Sequence, residues 1–225
     1  MTASDSALVA QGATGHADTG DPTHFGHGGG ISNPILGMLL FITSEVMFFA
    51  GLFAAYFNVR ANAPQWPPIN AETGEAFHLE ILPLVGPATV LLILSSFTCQ
   101  FAVWAIRRGD RTAFLRNIGV TFAIGVTFLI MQGIDYTILY SEGVTLGSGT
   151  FGTTYFTLTG FHGAHVFGGA IMLGVVLYRG LAGQFSARHH DAVEAVSLYW
   201  HFVDVVWILL FSLLYLLPGK SPAGV

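Results

Sequence analysis

The sequence predicts an all-α, polytopic membrane protein, a bundle of five transmembrane helices. Three observations predict it. Of the 225 residues, 52% are hydrophobic and only 9% charged, against about 25% charged in soluble domains, so the chain has too few polar groups to cover a water-facing surface. Five stretches stay apolar for the ~20 residues that a helix needs to cross a bilayer: about 34–57, 82–106, 118–140, 155–181 and 195–217. The basic residues, finally, gather in alternate connections. A β-barrel or a monotopic protein would show none of these patterns. The net charge of −5 comes with no basic run, so nucleic-acid binding is not expected.

Residues 1–32 are polar and Gly-rich, with His16, His24 and His27 and no Lys or Arg. They lack the basic start and apolar core of a secretory signal and the arginines of a mitochondrial transit peptide. A disordered, solvated tail is expected. The first span opens at Pro34, a residue suited to the first helical turn. Pro64, Pro67 and Pro68 belong to the loop that follows. The second opens with Pro83 and Pro87, where a missing backbone donor costs least. It holds Cys99, the one cysteine of the chain, which has no disulfide partner and reads as a small buried hydrophobe. The third carries Gln132 and, toward its outer end, Asp135. The fourth contains GFHGAHVFGG, with His162 and His165 three apart on one helical face, among glycines (160, 163, 168, 169) that let a neighbouring helix approach closely. The fifth contains LYWHFVDVVW, with His201 and Asp204 three apart and Trp200, Asp204 and Trp207 following one face. Pro218 and Gly219 close it, leaving 219–225 as a C-terminal tail.

Orientation follows from the basic residues. Arg107, Arg108, Arg111 and Arg116 lie between the second and third spans, and Arg179 and Arg188 between or at the edges of the fourth and fifth. Arg60 and Lys220 complete the eight. The side with six faces the cytoplasm by the positive-inside rule. The N-terminus is therefore expected inside and the C-terminus outside.

The costly residues lie within the spans. Glu45, in FITSEVMFFA, is near mid-membrane at about 1.5 Å of rise per residue. A carboxylate there costs about 2.5–3.5 kcal/mol on insertion scales, so Glu45 is expected to be mostly neutral and to face other helices. The first and fourth spans run in opposite directions, which brings Glu45 and His165 to similar depth. A Glu45–His165 contact is expected, with His162 the next-best partner. The alternative is that each polar group satisfies itself on nearby backbone or water. Three histidines, His162, His165 and His201, are enough to supply two axial imidazoles. A thiolate copper centre needs paired cysteines, however, and a catalytic zinc needs three ligands in a fixed geometry. No metal is expected on this chain.

Taken together, ITSEVMFFAGLFAAYF, the WPP of the following loop, FHGAHV and EAVSLYWHFVDVVWILLF resemble subunit III of the haem–copper cytochrome c oxidases, from about Pro34 to Leu217. The resemblance implies an aerobic terminal oxidase, of the aa3 type, that reduces O2 to water and pumps protons. It implies that haems and copper sit in subunits I and II, that cytochrome c is the electron donor, and that this subunit carries no redox centre. Its implied role is to pack on subunit I, bind phospholipid, and support proton uptake and active-site durability, in some cases within a respiratory supercomplex. Glu45, the pair His162 and His165, and His201 with Asp204 match buried polar residues of the family. His189 and His190 match a pair at the cytoplasmic headgroup level, where Arg188 is the stronger phosphate contact. Arg107, Arg108, Arg111 and Arg116 are further headgroup candidates. The chain looks like the short, five-span bacterial form and lacks the first two helices of the seven-span form. What fills their place, lipid or a partner's helices, is left open. Subunit III of a quinol oxidase is the alternative. The glutamate of the first span and the WPP loop favour the cytochrome c type.

Overall fold

The computed structural model describes residues 31–67, 84–217 and 219. The expected tails over 1–32 and 219–225 fall almost wholly outside them. Five helices follow in order: α1 (Asn33–Asn62), α2 (Gly86–Arg107), α3 (Arg111–Ser141), α4 (Thr150–Leu181) and α5 (Asp191–Phe211), the last continued by a π-helical turn over Ser212–Leu216. All five are long and apolar enough to cross a membrane. There is no strand among the described residues.

The helices agree with the predicted spans in number and order but run past several of their ends. α3 begins at Arg111, not near residue 118, because Asp110 caps it: its Oδ1 accepts from Ala113 N at 2.9 Å. The turn before it is only Arg108–Asp110, with Gly109 at φ +77°. Arg107 therefore stands in the last turn of α2, and Arg111 and Arg116 in the opening turns of α3, rather than in a loop. Likewise α1 continues through the polar Asn58, Arg60 and Asn62, and α5 begins early, with Asp191 and Glu194 in its first turn, where the helix dipole favours acids. Hydropathy ends at the edge of the apolar slab, while backbone hydrogen bonding does not.

α5 is the central helix. It packs against α1, α2 and α4, while α3 closes the ring against α2 and α4. Lipid tails are as apolar as leucine, so close fit and hydrogen bonds hold such a bundle together. The tightest fit surrounds Trp200 of α5, which is fully buried. A Cβ on Gly125 of α3 would lie 2.6 Å from its Cη2, and one on Gly169 of α4 would lie 2.9 Å from its Cε3 and Cζ3. The missing methyl groups make the space for the indole. Gly180 of α4 is tucked against Phe114 of α3 in the same way. α1 is peripheral. Its helix contacts are chiefly with α5 and, less extensively, with α4, and of its 30 residues only Phe49 and Tyr56 are buried. Tyr56 donates from its hydroxyl to Leu213 O at 2.7 Å.

Candidate functional site

Most of the intramembrane ionisable residues gather in three separate clusters, each across a different helix seam.

The first joins α1 to α4. Glu45 Oε2 lies 2.9 Å from His165 Nε2, the contact that depth matching predicts. The other ring nitrogen, Nδ1, is 2.7 Å from Phe161 O. A carbonyl can only accept, so Nδ1 carries a hydrogen. The contact at Nε2 then needs one more proton, on the glutamate or on the ring. The pair is neutral as a unit in both arrangements, which is how a bilayer tolerates it. Phe49 stands edge-on to the His165 ring at 4.9 Å, and Phe48 stacks beside it at 6.2 Å. Tyr199 of α5 donates to His165 O at 3.1 Å.

His162 is not part of this cluster. Three residues along a helix leave two side chains about 60° apart, enough to send these two rings into different seams. His162 is fully buried and stacks on Trp207 at 4.9 Å, with Phe128 edge-on at 6.0 Å. Neither of its ring nitrogens has a hydrogen-bond partner among the described residues.

The second cluster runs along the antiparallel seam of α2 and α5. Trp207 Nε1 donates to Thr89 Oγ1 at 3.0 Å, and Trp200 Nε1 donates to Ser95 Oγ at 2.8 Å. Ser96 Oγ lies between His201 Nδ1, at 3.1 Å, and Asp204 Oδ2, to which it hydrogen-bonds. His201 Nε2 meets Gln100 Oε1 at 3.3 Å. Asp204 is buried, and its Oδ1 has no hydrogen-bond partner among the described residues. Cys99 is buried against Ser197.

The third cluster lies where the C-terminal part of α3 meets the start of α4 and the π-helical turn, at the end of the bundle away from the turn between α2 and α3. Tyr155 donates to Asp135 Oδ2 at 3.0 Å, and its oxygen is 2.7 Å from that of Tyr215. Nearby, Gln132 Nε2 donates to Thr159 O at 2.8 Å, and the Tyr136 and Thr159 hydroxyls are 2.7 Å apart.

At the opposite end, the headgroup candidates divide. Arg107 and His190 both bind Glu194 Oε1, at 2.7 and 2.9 Å. Arg111 spans to the end of α4, donating to Leu181 O at 2.8 Å and Gly180 O at 3.3 Å, which satisfies carbonyls left open at a helix end. Arg179 bonds Gln184 and lies over the Phe185 ring. Arg108, Arg116, Arg188 and His189 are exposed.

Sequence reasoning singles out the ionisable members of these clusters but not their partners Thr89, Ser95, Ser96, Gln100, Ser197, Tyr155 and Tyr215. A signal for some of them exists. Thr89, Ser96, Gln100 and Arg107 recur on one face of α2, and Glu194, Ser197, His201 and Asp204 on one face of α5.

The fold and clusters define a polytopic, all-helical membrane protein whose ionisable groups are largely engaged inside its own helix seams. Comparison with known proteins makes the class specific. Residues 25–218 match the model of a family described as cytochrome c oxidase subunit III. The probable cytochrome c oxidase subunit 3 of Mycobacterium tuberculosis (strain ATCC 25618 / H37Rv) is 42% identical over 181 residues, covering 80% of this chain and 86% of that one. Its counterpart from Nocardia farcinica (strain IFM 10152) is 41% identical with the same coverage. The cytochrome c oxidase subunit 3 of Gadus morhua is 38% identical over 184 residues, covering 80% of this chain and 67% of that one. The chain belongs to the cytochrome c oxidase subunit III family. It is one subunit of an oxidase complex and is not itself the catalytic one.

Proposed function

We propose that this chain is the auxiliary, non-redox subunit III of an aa3-type cytochrome c oxidase in a bacterial plasma membrane, with the N-terminus cytoplasmic and the C-terminus periplasmic. Subunits I and II hold the haems and copper, cytochrome c delivers the electrons, and the complex reduces O2 and pumps protons. This subunit packs on subunit I, binds phospholipid, and supports proton uptake and the durability of the active site. It also offers a surface for a respiratory supercomplex.

One observation carries the auxiliary reading. Most of the buried ionisable groups are held in separate clusters, Glu45 with His165, Ser96 with His201 and Asp204, and Asp135 with Tyr155 and Tyr215, while the fully buried His162 stacks on Trp207 apart from all three. An independent proton transporter needs a continuous polar file. These clusters are instead suited to holding helices together and holding protons locally. The exposed Arg108, Arg116 and Arg188 support headgroup binding, each worth about 1 kcal/mol at an anionic surface.

The test compares the intact oxidase with oxidase stripped of this subunit. Turnover of the stripped enzyme should fall more at high pH than at low pH, and inactivation during turnover should be faster. Equal slowing at every pH would reduce the role to structure. Donor preference of the intact complex, cytochrome c against quinol, and its pyridine haemochrome spectrum check the aa3 assignment. A Soret band from this subunit alone would contradict the non-redox role.

A further inference from the structure

We propose that His201, Ser96 and Asp204 form a proton-holding relay, loaded from the aqueous surface at the arginine end of the bundle through a groove between α1, α2 and α5.

The groove comes first. It has a volume of about 140 Å³ and is lined by Ile35, Gln100, Val103, Arg107, Glu194, Ser197, Leu198 and His201. Arg107 lies in the last turn of α2 and Glu194 in the first turn of α5, so the mouth lies at the membrane surface. The inner end is His201, with Gln100 beside it. Ile35, Val103 and Leu198 make part of the wall apolar, but Arg107, Glu194, Ser197, Gln100 and His201 supply polar groups from the mouth to the inner end, and the space holds several waters, the two conditions for a hydrated site. Asp204 itself does not line the groove. It is buried one helical turn deeper and reaches His201 only through the Ser96 hydroxyl.

That connection has a definite hydrogen-bond logic. Ser96 has one hydroxyl hydrogen and lies between an imidazole nitrogen and a carboxylate oxygen. With an ionised Asp204, the serine must donate to Oδ2, and His201 Nδ1 must carry a hydrogen and donate to the serine oxygen. A proton reaching Nε2 from groove water makes the ring an imidazolium. The Nδ1 proton then passes to the serine oxygen, and the serine's own proton passes to Asp204 Oδ2. The result is a carboxylic acid, a neutral imidazole with its hydrogen on Nε2, and an intact hydroxyl. One hydronium has become one water, and no electron has moved. In this loaded state Nε2–H donates to Gln100 Oε1, in keeping with the 3.3 Å contact there. It also leaves no charge in the buried seam, where an unpaired ion is costly. The proton therefore rests on Asp204.

The surroundings agree with a branch that ends there. From α2 the titratable groups in reach are Cys99, engaged with Ser197, and Arg107, engaged with Glu194. α1 contributes Ile35 to the groove. Trp200, next to His201 in sequence, fills the notch toward α3 and α4. The relay goes beyond the auxiliary role proposed above, since it names where this subunit takes up a proton. Its readout does not use turnover, so it can fail or stand independently of that role.

The experiment is infrared hydrogen–deuterium exchange on the intact oxidase complex in lipid nanodiscs. A carboxylic C=O band that disappears in Asp204→Asn should be present at neutral pH and shift promptly in D2O. Ser96→Ala removes the bridge with little change of volume. It should keep the band, at an altered frequency, and slow its exchange on the order of 100-fold, the low end of what a positioned proton-transfer group contributes. Ile35→Trp narrows the groove without touching the relay and should also slow exchange. Should Asp204→Asn fail to assemble, the frequency change in Ser96→Ala makes the assignment. A band that exchanges equally fast in Ser96→Ala, one that fails to exchange in the unaltered protein, or the lack of any Asp204 carboxylic band overturns the proposal.

Discussion

The fit around Trp200 yields a quantitative prediction. Carbon atoms in contact prefer separations of about 3.5–4.0 Å. A methyl at Gly125 would lie 2.6 Å from Trp200 Cη2, and one at Gly169 would lie 2.9 Å from Cε3 and Cζ3. The ring or a helix must then give by about 1 Å at the first site and somewhat less at the second. The indole is not free to move, because its Nε1 is hydrogen-bonded to Ser95 on α2. Overpacking of this kind costs about 1–3 kcal/mol, so Gly125→Ala and Gly169→Ala should each destabilise by that amount, with Gly125→Ala the worse. Gly133, also in α3, has nothing within 4 Å of its would-be Cβ. Gly133→Ala serves as the control and should be neutral or stabilise by about 0.5–1 kcal/mol through helix propensity. The assay is denaturant titration of the purified protein in detergent micelles, followed by far-ultraviolet circular dichroism. Because the two alanines press on one ring, shortening it should relieve both. Trp200→Phe combined with Gly125→Ala should be less damaging than the sum of the single changes, by about 0.5–3 kcal/mol. If Gly125→Ala behaved like Gly133→Ala, the notch would not be what holds Trp200 and the reasoning would fail.

Three further outcomes follow from the site. A double-mutant cycle of Glu45→Ala and His165→Ala should return a coupling of about 0.6–2 kcal/mol, while Glu45→Gln, which keeps a hydrogen-bonding group at Nε2, should cost less than Glu45→Ala. Zero coupling would show that the contact carries no stability. A hydrophobic carbodiimide should label Glu45, 19% exposed on its side chain, before the buried Asp204 or the tyrosine-bound Asp135. Peptide mass spectrometry reads the order, and first labelling of Asp204 would contradict it. Arg111→Ala strips two carbonyl contacts from the end of α4 and, the arginine being exposed, should lose about 1 kcal/mol. Arg111→Lys should recover only part, since a single ammonium does not reproduce the fork geometry, and full recovery would mean that charge alone matters.

These predictions rest on features of unequal legibility in the sequence. The five spans were readable because a bilayer imposes length and apolarity on every crossing helix, and both are one-dimensional properties. The Glu45–His165 contact was readable because depth is also one-dimensional once direction is known. What was not readable depends on the angle about a helix axis and on which helices are neighbours. His162 and His165 look like one pair in FHGAHV, yet the 60° between them places one beside Glu45 and the other on Trp207. Gly125 carries no visible role in TFAIGVTF until Trp200 is known to press on it. Ser96 and Gln100 are unremarked in a helix that already contains Thr89, Ser95 and Thr98, because hydroxyls in membrane helices ordinarily bond their own backbone, as Thr89 does to Val85 and Ser95 to Leu92. Their added role appears only when α5 turns His201 and Asp204 toward them. A buried acid is thus a reliable marker that a polar seam exists, and its small partners become assignable once the neighbouring helix and its antiparallel register are known.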